Sequence, residues 1–146
     1  MAASVASIWL RIASGVTIVV GAICALAAHP STGRVWLYLF DVLKWPLDGD
    51  PSAFSADTRA VNAVLGGVMV GWGLLMYLLS RERLITVMPE LPRLLLVSLL
   101  AWFVVDSTGS WAAGLPGNIV LNVGFLVMFL PPLVLIRRRS RPDAPA

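Results

Sequence analysis

Residues 60–80 read AVNAVLGGVMVGWGLLMYLLS, with no charged side chain between Arg59 and Arg81. No other feature narrows the choice of folds so far. About 20 apolar residues in a helix cross a hydrocarbon layer roughly 30 Å thick. Three more runs have the same character. One covers 5–28 and is broken only by Arg11, one covers 93–110 and is uncharged from Leu94 until Asp106, and one covers 117–136 and stops at Arg137, Arg138 and Arg139. Open sheet edges cannot face lipid, so segments of this kind must be helices, and no strand alternation at barrel spacing competes with them. The expected fold is all-α, a four-transmembrane-helix bundle forming one domain over 1–136. Residues 137–146 are expected to be a basic, disordered tail.

Composition agrees. Hydrophobic residues make up 58% of the 146 and charged residues only 13%, whereas soluble domains carry about 25% charged residues. The net charge of +3 does not indicate nucleic acid, because the basic residues sit at the ends of apolar runs and do not alternate with aromatics. The expected partner is the lipid bilayer, with another membrane protein or a second copy of the chain as a further possibility.

The segment 12–28 is longer than the apolar core of a signal peptide, and its only positive charge, Arg11, does not precede the apolar stretch as such a peptide requires. A retained first helix is therefore expected. With four alternating spans, Arg11, Arg81, Arg83, Arg93, Arg137, Arg138, Arg139 and Arg141 fall on one side. Arg34, Lys44 and Arg59 fall on the other, together with Asp41, Asp48, Asp50 and Asp57. The positive-inside rule then places both termini in the cytoplasm. Arg11 is expected to snorkel to the headgroups, or else to pair with Glu82 or Glu90.

The one long loop, 30–58, is expected outside. Its portion 34–45, RVWLYLFDVLKW, puts Arg34, Tyr38, Asp41 and Lys44 on one helical stripe. That predicts a short interfacial helix with Trp36 and Trp45 at headgroup level, acting as a plug over the bundle or as a partner-binding arm. The turn residues PLDGDPS follow. The DGD within them lacks the other ligands and the closing glutamate of a calcium loop.

Chemistry-bearing residues gather at one depth. A third helix continuing to Ser110 aligns Ser98, Trp102, Asp106 and Ser110 on one face. A turn over 114–117 brings Asn118 and Asn122 back to the level of Asp106. Arg59 and Asn62 share a face near the outer end of the second helix, and His29 ends a stripe on the first. An isolated carboxylate in hydrocarbon costs about 2.5–3.5 kcal/mol even on a lenient scale, so Asp106 is expected to face inward. Asn118, Asn122 or Asn62 would bond it and Arg59 would be its ionic partner. Two readings stand side by side: a clasp that fixes helix register, or a centre that binds a proton, an ion or a small polar ligand. Gly67 and Gly71, one turn apart, are expected to let a second helix approach closely, within the bundle or across a dimer.

Catalytic motifs are scarce. DSTG over 106–109 differs from the aspartic-protease signature and has no second copy. A single histidine and a single cysteine, Cys24, supply neither a metal set nor two haem ligands. There is no phosphate loop, dinucleotide fingerprint or serine elbow. No cofactor or metal is expected, and an enzyme would need a second base beside Asp106, for which His29 is the one candidate.

The runs TRAVNAVLGGVMVGWGLLMYLLS, AWFVVDSTGS and GNIVLNVGF, followed by Pro131 and Pro132, resemble small bacterial four-helix integral membrane proteins without an assigned activity. The resemblance covers about 58–133. It implies four spans and a bacterial inner membrane, and it transfers no site residue. Small multidrug transporters also have four spans, but they carry a buried glutamate in the first helix, and none is present here.

The sequence thus points to a multi-pass inner-membrane protein, a non-enzymatic accessory or interaction subunit with a polar clasp around Asp106. The alternative is a small carrier or channel that uses Asp106 as its ion- or proton-binding centre.

Overall fold

A computed structural model describes residues 4–45 and 49–139, of which Arg139 is described by its backbone only. The expected tail beyond 139 and the first three residues of the PLDGDPS turn, 46–48, lie outside the described residues. Six helices follow one another: α1 (Val5–Leu26), α2 (Arg34–Lys44), α3 (Ala56–Leu79), α4 (Glu82–Val87), α5 (Leu91–Ala112) and α6 (Pro116–Arg139). No strand occurs among the described residues. Four of the helices, α1, α3, α5 and α6, are long and apolar enough to cross a membrane.

Their ends follow from local chemistry. Ser4 and Ser55 cap α1 and α3, each accepting the amide N–H three residues on, from Ser7 at 3.2 Å and Thr58 at 3.1 Å. Asp57 adds negative charge to the first turn of α3, where the helix dipole favours it. This cap carries α3 four residues further toward the N-terminus than the apolar run alone predicts. At the other end of the chain, α6 continues through Arg137 and Arg138, so the expected tail begins inside a helix. The short α4, in the link between the second and third spans, has no counterpart in the sequence reading.

The helices pack in a row, α3 on α1, α1 on α6, and α6 on α5, with α2 lying against α6 and α1. The two end members, α3 and α5, scarcely approach each other along their backbones. They meet through the stacked rings of Trp72 and Trp102, 5.7 Å apart. Leu10, Met76, Leu99, Phe129 and Leu133 fill the core in the half nearer α4. Val61, Val64 and Val68 of α3, Val97 and Val105 of α5 and Val127 of α6 point outward. A soluble monomer does not present such a belt of apolar surface.

The α1–α3 contact is built on glycine, but not on the pair the spacing suggests. Gly67 and Gly71 are exposed, and a Cβ on either would meet nothing. A Cβ on Gly66 would run into the backbone of Ala25 and Gly21, and one on Gly73 would lie 3.1 Å from the Ser14 carbonyl. The expectation that Gly67 and Gly71 pack within the bundle is therefore corrected. Gly66 and Gly73, seven residues and two turns apart, form the packed stripe, and Gly21 of α1 faces it.

Two further expectations change. Arg11 pairs with neither Glu82 nor Glu90: its guanidinium lies over the ring of Tyr77, 5.9 Å from the centroid. Glu82 accepts hydrogen bonds from the Ser4 amide and the Ser7 hydroxyl, at 2.6 and 2.7 Å, and Glu90 faces Arg93 at 3.5 Å. Asp41 is buried, not on an exposed stripe, because its Oδ2 accepts the Gly49 amide at 3.2 Å and ties the following loop to α2.

Candidate functional site

The turn between α5 and α6 sets the register of the site. The Gly114 amide donates to the Trp111 carbonyl, and the Leu115 amide donates to that of Ser110. These are the two bonds of a Schellman motif, with Gly114 at φ +69°, where a side chain would be strained. Pro116 then opens α6, as suits a first helical residue that has no N–H to satisfy.

Folding back at that point brings Asn118 opposite Asp106 and Asn122 opposite Ser107. Asn118 Nδ2 donates to Asp106 Oδ1 at 3.0 Å and to Ser110 Oγ at 2.7 Å, and Ser110 Oγ donates to the same Oδ1 at 3.2 Å. Asn122, 2% exposed, donates to Ser107 Oγ at 3.2 Å. Asp106 Oδ2 accepts no hydrogen bond from the described residues.

Arg59 is not part of this cluster. Its Nη1 donates to the Phe54 carbonyl at 2.8 Å, outside the space that Asp106 faces, so the expected ionic partner is absent. A main-chain acceptor five residues away competes better than a carboxylate on another helix. His29 is exposed at the end of α1. Its Nδ1 accepts the Ser31 amide at 3.3 Å and bonds the Ser31 hydroxyl at 2.8 Å, so it supplies no base beside Asp106. Among the described residues no cluster of His, Cys, Asp and Glu could hold a metal.

Asp106 forms part of the wall of a partly open cavity of about 470 Å³ in the half of the bundle nearer α2. Trp36, Phe40 and Leu43 of α2 roof it, and Trp72, Trp102 and Phe125 floor it. The floor is a continuous aromatic layer. Trp72 lies 5.4 Å from Phe129 and Trp102 lies 6.1 Å from Phe125, edge to face. The walls are apolar apart from two groups of polar side chains. On the α5–α6 wall stand Asp106, Ser110, Asn118 and Asn122; toward α1 and α3 stand Thr17 and Asn62.

The space is open on part of its boundary, so it is a cleft between helices and not a sealed packing void. Its volume falls within the roughly 300–1,000 Å³ of small-molecule sites.

Two residues of the lining each have a buried donor without a partner. Asn62 Nδ2 and Trp36 Nε1 make no hydrogen bond, although the residues are only 4% and 6% exposed. They stand in one corner, around Cys24, which packs against Trp36 and donates through Sγ to the Asn62 carbonyl at 3.3 Å.

The sequence points to Asp106, Asn118, Asn122, Ser110 and Asn62 and aligns Trp102 with Asp106, but it does not point to Trp36 or Trp72 as lining. Trp36 was assigned to the headgroup interface, and Trp72 to no role. One signal was available: Trp72 and Trp102 fall mid-span, away from the interfaces where tryptophan concentrates. Compared with protein-family models, curated proteins and solved structures, the chain gives no match.

Proposed function

We propose that this chain is a multi-pass protein of the bacterial inner membrane that binds a small molecule between its helices, as a non-enzymatic subunit. In this reading both termini are cytoplasmic, α2 lies at the outer surface as a cover, and the clasp of Asp106, Ser110 and Asn118 fixes α5 against α6. The observation that carries it is the cavity itself. Five helices contribute to one space of ligand size, and polar side chains converge on an otherwise apolar lining.

Mass spectrometry of the protein purified from its own membranes in mild detergent tests the reading. A small molecule retained at about one per chain is expected, and it should be lost from Leu121→Trp, which fills the cavity. Equal recovery from a Leu121→Trp protein that melts like the parent would exclude the cavity as the binding place.

A carrier is the second reading, and Asp106 Oδ2 favours it, since this oxygen has no donor among the described residues. In that case Asp106→Asn would abolish proton or cation flux into liposomes and leave the fold intact. Parent protein without flux above empty vesicles would remove this alternative.

A further inference from the structure

We infer that Arg11 and Tyr77 form a site for the phosphate of an anionic membrane lipid, on the outer face of the α1–α3 pair at the end of the bundle that carries α4. The inference rests on the long helices' crossing a membrane, and it is independent of the cavity.

Arg11 lies deeper than the other bases. It stands six residues, roughly 9 Å, inside α1, whereas every other lysine or arginine of the four long helices is within about one turn of a helix end. A cation at that depth needs a partner, and the described residues supply no acceptor. Its guanidinium makes no hydrogen bond and no ion pair. Glu82, which faces the first turn of the same helix, accepts from the Ser4 amide and the Ser7 hydroxyl.

The surroundings leave one way out for this charge. The Arg11 guanidinium lies over the Tyr77 ring, 5.9 Å from its centroid, and an aromatic face in that position steadies it. Nε is buried without a partner, while Nη1 and Nη2 are neither bonded nor sealed. Two free amino groups in one plane form the fork that matches two oxygens of a phosphate.

The neighbours identify the source of that phosphate. Ile8 and Ile12 of α1 and Leu74 and Leu78 of α3 are exposed beside the pair, so the fork opens among lipid-facing side chains. Gly15 follows one turn further along the same face of α1, and a Cβ there would meet nothing. The missing side chain leaves a shallow track beside Arg11 that suits an acyl chain. Arg81 and Arg83, both exposed just beyond the end of α3, add positive charge at this end and favour an anionic head over a zwitterionic one.

The test is native mass spectrometry of the full chain in neutral detergent, titrated with phosphatidylglycerol, phosphatidylcholine or inorganic phosphate. Phosphatidylglycerol is expected to bind about fivefold more tightly than phosphatidylcholine, as fits roughly one charge contact, and inorganic phosphate should not be retained. Arg11→Gln should abolish the preference. Arg11→Lys keeps the charge without the fork and should bind more weakly than the parent while still preferring the anionic lipid. Gly15→Phe fills the track and should weaken both lipids. Tyr77→Phe, which keeps its ring, and Leu121→Trp, which fills the cavity, should bind both lipids as the parent does.

An unchanged preference in folded Arg11→Gln would overturn the site. If that variant fails to fold, Arg11→Lys decides, and binding at the parent's strength would overturn the fork. Retention of inorganic phosphate, with lipid binding undiminished in Gly15→Phe, would overturn the lipid and leave a site for a soluble anion. Loss of the preference in Leu121→Trp would move the lipid into the cavity and overturn the placement at Arg11.

Discussion

Asp106 places one carboxylate oxygen under two donors and leaves the other without a donor among the described residues, so its substitutions separate two kinds of contribution. An amide still offers an oxygen to Ser110 and Asn118. Asp106→Asn is therefore expected to shift stability by no more than about 0.6 kcal/mol, an average interhelical polar contact in a membrane. Asp106→Leu leaves both donors without that acceptor and should cost about 1–2 kcal/mol. Thermal melting in detergent measures both, and equal losses from the two variants would show that the hydrogen bonds add nothing to the fold. The meeting of Asp106 with Asn118 follows from helical arithmetic on either side of a short turn, which is why common depth was readable from the residues. Arg59 was not readable in the same way. Its partner is the main-chain carbonyl of Phe54, and every residue carries such a carbonyl, so no spacing of side chains encodes the choice. The orphaned donors of Trp36 and Asn62 were hidden for a related reason, because a missing partner is a property of the packed assembly.

Among elements, the α1–α3 pair has the tightest backbone approach, and its glycines divide by face. Gly66→Ala or Gly73→Ala would drive a methyl group against backbone of α1. Overpacking of this kind costs about 1–3 kcal/mol. Gly67→Ala and Gly71→Ala point into open space and should be neutral or stabilising by up to about 1 kcal/mol, the gain in helix propensity. Melting curves of the four single variants decide the assignment, and the reverse order would place the packed stripe on the other face. The sequence holds both patterns at once, a four-residue spacing at 67 and 71 and a seven-residue spacing at 66 and 73. Only the facing residue, Gly21, separates them, and it lies on another helix. The α5–α6 turn was more legible, since glycine followed by proline punctuates a helix end in any context. Gly114→Ala, at φ +69°, should cost about 1–2 kcal/mol and loosen the Asp106–Asn118 contact with it. That coupling predicts a smaller effect of Asp106→Leu in the Gly114→Ala background than in the parent, measured as a double-mutant cycle.

For the whole molecule, the row α3–α1–α6–α5 has one half filled by core and one half opened around a cavity, and charge divides the same two ends. Arg81, Arg83, Arg93, Arg137 and Arg138 lie toward the end that carries α4; Arg34, Lys44 and Arg59 lie toward the end that carries α2, together with Asp41, Asp50 and Asp57. Apolar length and charge placement are properties of short segments, which is why the four spans could be read before folding. The order of helices in the row depends on which faces match, and that information is spread over several segments. Because translocation disfavours lysine and arginine in short loops, the α4 end is expected in the cytoplasm and the cavity in the outer half of the membrane. Reporter fusions at the C-terminus and between Ser80 and Pro89 should both be active in the cytoplasm, while an insertion between Ser52 and Ser55 should read as external. The outcome bears directly on the cavity. If the fusions report the opposite orientation, the cavity lies in the inner half of the membrane, and its ligand must be sought on the cytoplasmic side. If the C-terminal and Ser80–Pro89 fusions report opposite sides, α5 and α6 cannot both span, and the Asp106–Asn118 contact loses the antiparallel pair on which it depends.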